Sequence, residues 1–103
     1  MVHLSLALFI ALAGWQNVRL EKEAIRVYQT PNLPGSITVQ SKTEIKFAFF
    51  LFNLEGGLVY QKEIKNAGWQ RVEGLSVGTY TYYAFQNDKQ LKGGKVELKI
   101  QNQ

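Results

Sequence analysis

The feature that most constrains this chain is a hairpin written across residues 44–64. Residues 44–54 carry Ile45, Phe47, Phe49 and Leu51 at alternate positions, with Ala48, Phe50 and Phe52 between them. Successive side chains of a strand point to opposite faces, so both faces of this segment are apolar, as expected of a central strand covered on both sides. One of those faces is available to another subunit. Glu55-Gly56-Gly57 follows with glycines that tolerate positive φ, and residues 58–64 return with Leu58, Tyr60 and Ile64 inward and Gln61 and Glu63 outward.

The rest of the chain repeats the same device at short intervals. Across residues 17–30, Val18 and Leu20 fall on one face and Ile25 and Val27 on the other, predicting two short strands or one strand bulged near Ala24. Pro31-Asn32-Leu33-Pro34-Gly35 is a loop, Ile37 and Val39 mark a strand over residues 36–40, and Ser41-Lys42-Thr43 turns into the hairpin. Asn66-Ala67-Gly68 turns again before a strand over residues 69–73. Leu75-Ser76-Val77-Gly78 then leads into a tyrosine-rich strand over residues 79–86, and Asn87-Asp88-Lys89 turns once more. Gly93-Gly94 reads as a further turn, and the last strand places Val96, Leu98 and Ile100 inward with Glu97, Lys99 and Gln101 outward. No amphipathic helix longer than two turns is required, and neither an internal repeat nor a low-complexity linker divides the chain.

Seven to eight short strands at this spacing predict an all-β fold, a two-layer antiparallel β-sandwich of Ig-like type. A chain of 103 residues has room for one domain, and 46% hydrophobic residues supply a two-layer core. The expected organisation is a hydrophobic N-terminal segment over residues 1–15 followed by the sandwich over residues 16–103. Cysteine is absent, so a disulfide framework, a thiol nucleophile and a thiolate metal site are excluded. A small extracellular domain without disulfides must rely on its aromatic core or on neighbouring copies.

Residues 2–13 form the most apolar run and carry no formal charge apart from His3. As a signal peptide the run has an apolar stretch and an Ala11-Leu12-Ala13 cleavage box, but it lacks the Lys or Arg expected before them. As a membrane span it is too short, because roughly 20 apolar residues are needed to cross the hydrocarbon core. As a strand it has period two: Val2, Leu4, Leu6, Leu8, Ile10 and Leu12 are all large, with mostly small or polar residues between them and Phe9 as the exception. Such a strand fits the groove of a sheet lacking one strand, its own or that of the next subunit. These six residues are the candidate assembly interface, and the signal-peptide and assembly readings both stand at this point.

Little in the body is arranged for chemistry. The only histidine is His3, so no imidazole is positioned there as a general base or zinc ligand. Gly56-Gly57 and Gly93-Gly94 lack the strand-to-helix context and the Lys-Ser/Thr of a phosphate cradle. Whether two of the eight acidic residues meet in space, as in glycosidases, is left open. The net charge of +4 is modest, and Lys89, Lys92, Lys95 and Lys99 read as guards on an edge strand, not as a nucleic-acid surface. Trp69, Tyr82 and Tyr83 are candidates for a ligand face on which sugar rings stack. Leu75, Gly78 and Tyr80 have a structural meaning, since a tyrosine just after a sandwich corner often hydrogen-bonds back to the loop backbone.

Several of these residues resemble the type A C-terminal sorting domains of type IX secretion cargo and related small β-sandwich modules of Bacteroidota. The likeness covers roughly residues 28–99. Tyr28 with Pro31-Asn32-Leu33-Pro34, then Ser36-Ile37-Thr38-Val39, is similar to that family's opening loop and first strand. Leu51-Phe52-Asn53-Leu54-Glu55-Gly56 and Val59 resemble its central hairpin, Leu75, Gly78, Thr79 and Tyr80 its corner, and Lys95-Val96-Glu97-Leu98 its closing strand. Gln29 and Thr30 interrupt the opening motif, and Leu33 is inserted in it. The resemblance implies a sandwich in a secreted, extracellular or cell-surface setting. With no cargo domain ahead of the module, the expectation is a non-catalytic structural subunit that forms a homo-oligomer or polymer by strand complementation, without cofactor, metal, nucleic acid or membrane span. The alternatives are a sorting or anchoring module and a module that binds surface glycans.

Overall fold

The computed structural model describes residues 24–101, and the alternating runs among them become seven strands with no helix. These are β1 Ile25–Gln29, β2 Ile37–Ser41, β3 Phe47–Phe52, β4 Leu58–Ile64, β5 Gly68–Val72, β6 Gly78–Gln86 and β7 Lys89–Leu98. They form a three-stranded sheet ordered β1-β2-β5 and a four-stranded sheet ordered β4-β3-β6-β7, every pairing antiparallel. This is the two-layer β-sandwich that the patterning predicts.

Packing follows from period two. On β3, Phe47, Phe49 and Leu51 are fully buried, whereas Ala48, Phe50 and Phe52 are only half-buried. The buried face meets Ile25, Ile37, Val39 and Val72 of the small sheet and Tyr80, Tyr82, Ala84, Val96 and Leu98 of the large one. Phe49 sits at the centre, stacked on Tyr82 with ring centroids 6.1 Å apart and tilted against Tyr60 at 6.4 Å. Each fully buried Phe or Leu contributes about 1.5–3 kcal/mol relative to exposure, so this one face carries a large part of a small domain's stability.

Turn chemistry closes the hairpins. At the β3–β4 turn, Asn53 accepts from the Gly57 amide through its side chain at 2.7 Å and from the Gly56 amide through its carbonyl at 3.0 Å, with Gly56 at φ +91°. The β6–β7 hairpin needs only Asn87 and Asp88, and Asn87 takes the positive φ of 56°. At the β1–β2 loop the Thr30 amide donates to the Ser36 carbonyl, while the Thr30 hydroxyl lies 2.8 Å from the Ser36 hydroxyl and 2.6 Å from that of Thr38. That hydroxyl chain satisfies the buried Ser36 and Thr38 side chains.

Four local expectations are corrected. Gly93 and Gly94 do not turn the chain; they lie inside β7, opposite Tyr83 and Tyr82. A Cβ on Gly94 would stand 2.7 Å from the Tyr82 hydroxyl and one on Gly93 3.1 Å from the Tyr83 ring, so the missing side chains make room for two tyrosines. The last strand ends at Leu98, whose partner Gly78 begins β6, and Ile100 beyond it is exposed instead of inward. Leu58 is also exposed, because a register shift between Leu51 and Phe52 pairs it with Phe52 on the outer face. The outer face of β3, expected to be covered, is shielded only in part, by the rings described below.

Burial raises the hydroxyl pKa of both Tyr60 and Tyr82. A folded-state pKa above the unfolded value of about 10 gives a contribution that is complete below that pH and is lost as pH rises through the folded-state value. Unfolding stability is therefore expected to fall above about pH 10, and Tyr82→Phe to flatten that fall in a series of denaturant titrations. An unchanged alkaline profile in the variant would contradict the assignment.

Candidate functional site

The two long sides of the sandwich differ. β1 packs beside β7, which places β4 and β5, the remaining edges of the two sheets, together on the opposite side. On the β1–β7 side the Gln29 side-chain amide imitates a strand partner: its Nε2 donates to the Lys99 carbonyl at 2.7 Å and its Oε1 accepts from the Lys99 amide at 3.2 Å. Gln101 adds a bond from its Nε2 to the Thr30 carbonyl at 2.9 Å. Lys89, Lys95 and Lys99 are exposed along or just past β7 and Lys92 is half-buried, so charge guards this edge as well.

The β4–β5 side ends in a cleft of about 700 Å³, open to solvent. Its floor includes buried Val72 and Tyr80 with half-buried Tyr60 and Leu75. Its rim carries Leu54, Val59 and Val77, which are 72%, 40% and 61% exposed. Arg71 and Glu73 also line it, 3.9 Å apart and both exposed, an ion pair that contributes little to stability. Three exposed apolar residues thus gather around one cleft, beside β4, which is an edge strand among the described residues.

One wall of this cleft is the β5–β6 corner, where Leu75, Gly78 and Tyr80 come together. The Tyr80 hydroxyl donates to the Ser76 carbonyl at 2.7 Å, pinning the loop from within the core. The Leu75 amide donates to the Gly35 carbonyl at 2.9 Å, pinning it from the β1–β2 loop. Gly35 is at φ +73°, and a Cβ there would lie 2.9 Å from the Leu75 carbonyl oxygen. The wall is thus fixed by two anchors from different parts of the chain.

Trp69, Tyr82 and Tyr83 are not brought together. Trp69 is 67% exposed on β5 of the small sheet, Tyr82 is buried against Phe49, and Tyr83 points to the opposite face of the large sheet. Adjacent strand residues cannot share a face, so no common sugar platform forms. Tyr83 instead joins an outer cluster in which Phe50 meets Phe85 at 6.1 Å, Phe52 meets Tyr83 at 6.0 Å and Tyr83 meets Phe85 at 6.1 Å. These rings, paired twice across β3 and β6 and once along β6, shield one another and explain why the outer face of β3 stays half-buried.

Val2, Leu4, Leu6, Leu8, Ile10 and Leu12 lie outside the described residues. Among the described residues, no group of three or more His, Asp or Glu side chains is placed to hold a metal ion, and no helix is long and apolar enough to cross a membrane. The chain matches no protein-family model and no curated protein. Among the described residues, β4 and β5 are the edge strands on this side, beside a firm-walled cleft with both apolar and charged residues in its lining, and the large sheet carries an aromatic outer face.

The anchoring of the cleft wall has a direct test. Gly35→Ala introduces both a backbone clash and a disfavoured φ, with an expected loss of about 2 kcal/mol or more in denaturant unfolding. Gly56→Ala carries only the φ term, since a Cβ there meets nothing within 4 Å. Equal losses for the two variants would remove the contact with Leu75 as a constraint.

Proposed function

We propose that this chain is a non-catalytic structural module that associates with further copies of itself by strand complementation, outside the cell or at its surface, with residues 2–13 as the donor strand. The observation that carries this reading is the difference between the two sides of the sandwich. The β1–β7 side is closed by the Gln29–Lys99 amide pair and guarded by lysines, whereas β4 and β5 end their sheets beside exposed Leu58, Val59 and Trp69.

An edge strand presents a row of backbone donors and acceptors that another strand can satisfy. β4 keeps Lys62 and Glu63 exposed toward its far end, charges that discourage indiscriminate pairing there, while its beginning at Leu58 and Val59 is apolar. A donor with one aliphatic face, such as the alternation from Val2 to Leu12 supplies, suits that apolar end. The absence of cysteine fits the same reading, because contact between copies can supply the stabilisation that disulfides give other small extracellular domains.

Deleting residues 2–13 is expected to convert the assembly into monomers by light scattering at matched concentration, with the β-rich far-ultraviolet circular dichroism retained. Polymers that persist after the deletion would refute strand donation by this segment.

A further inference from the structure

Strand complementation needs an acceptor, and its position decides what kind of assembly results. We propose that the cleft between the start of β4 and the β5–β6 corner accepts residues 2–13 of a second copy, joining copies head to tail. This inference rests on the strand-donation reading above and adds to it the site and the polarity.

The polarity comes from the register. Ile25 at the start of β1 pairs with Ser41, and Ser41 pairs with Gly68 at the start of β5, so the chain enters the sandwich at the pole where β5 begins. The cleft is lined by Arg71 through Tyr80, the end of β5 and the corner beyond it, together with Val59 and Tyr60 at the start of β4. Those residues belong to the other pole, where Gln29 pairs with Ile37 and Ile37 with Val72. Donor root and acceptor therefore lie at opposite ends of the molecule. Copies stacked end to end then present a donor to an acceptor in one direction, and such a head-to-tail contact propagates unless a rotation completes a ring.

The reach is adequate. Residues 14–23 separate the donor from Ala24, and ten residues span up to roughly 33–36 Å when extended. A linker of that length lets the donor leave its own pole and enter a neighbouring copy placed end to end with it. The cleft presents exposed Leu54, Val59 and Val77, over a floor of Val72, Leu75 and Tyr80, to the aliphatic residues of the proposed donor, with Arg71 and Glu73 beside them as partners for its backbone. The doubly anchored corner makes one wall firm before the partner arrives, which lowers the ordering cost of binding.

The chain has no cysteine of its own, so engineered disulfides report contacts without background. Full-length Leu8→Cys and Val59→Cys chains, mixed and oxidised, are expected to give a linked dimer on a non-reducing gel, and the double variant a ladder of multimers. Leu6→Cys with Val77→Cys is a second pair across the same cleft, in case the first perturbs it. A double variant that links only within one chain would show the segment folding back on its own cleft and would overturn the proposal. Linkage of Leu8→Cys to Phe52→Cys on the outer aromatic face, in place of Val59→Cys, would also overturn it while leaving strand donation standing. An unmodified chain that scatters light as a monomer would remove both this inference and the reading it rests on.

Discussion

Burial of the inner face of β3 is the interaction on which the rest of this structure depends. Phe47, Phe49 and Leu51 are at most 1% exposed, and Phe49 touches rings from the strands on both sides of β3, Tyr60 on β4 and Tyr82 on β6. The small sheet has little reason to stay in place without this face, since Ile25, Ile37, Val39 and Val72 are apolar residues that need a partner layer. A chain without disulfides concentrates its cohesion here.

Beyond the inner faces, the outer surfaces of the sandwich are not equivalent. The β1–β7 side uses a glutamine amide as a stand-in for backbone, which ties the two sheets across a separation of 70 residues and occupies backbone groups that a foreign strand would otherwise find. The β4–β5 side has the cleft and its apolar rim. The outer aromatic face lies between these extremes: its rings pair with one another, so it is less exposed than its composition suggests. Of the three, the cleft combines a concave shape with exposed Leu54, Val59 and Val77 beside the edge strand β4.

Much of the architecture was legible in the sequence because period two is a local signal. The buried positions of β3, the Gly56 turn, the Asn87-Asp88 hairpin and the tyrosine at the corner can be read from neighbours in sequence. The failures share a different cause. Gly93-Gly94 has the chemistry of a turn, and only the presence of Tyr82 and Tyr83 on the adjacent strand explains glycine inside β7. Leu58 faces outward because of a register shift that no alternation announces. Residue type alone groups Tyr82 with Tyr83, but neighbours on one strand face opposite ways. The Gln29–Lys99 pair and the closure of the cleft wall by Gly35 join distant parts of the chain and leave no local trace.

One face of β3 holds the domain together, and the other packs only against rings of its own sheet. Urea unfolding of Phe49→Ala and Phe50→Ala, two adjacent residues of the same type on opposite faces, tests it most directly. Phe49→Ala is predicted to lose roughly 3–5 kcal/mol and Phe50→Ala less than about half of that. Equal losses, or a larger one for Phe50→Ala, would contradict the account.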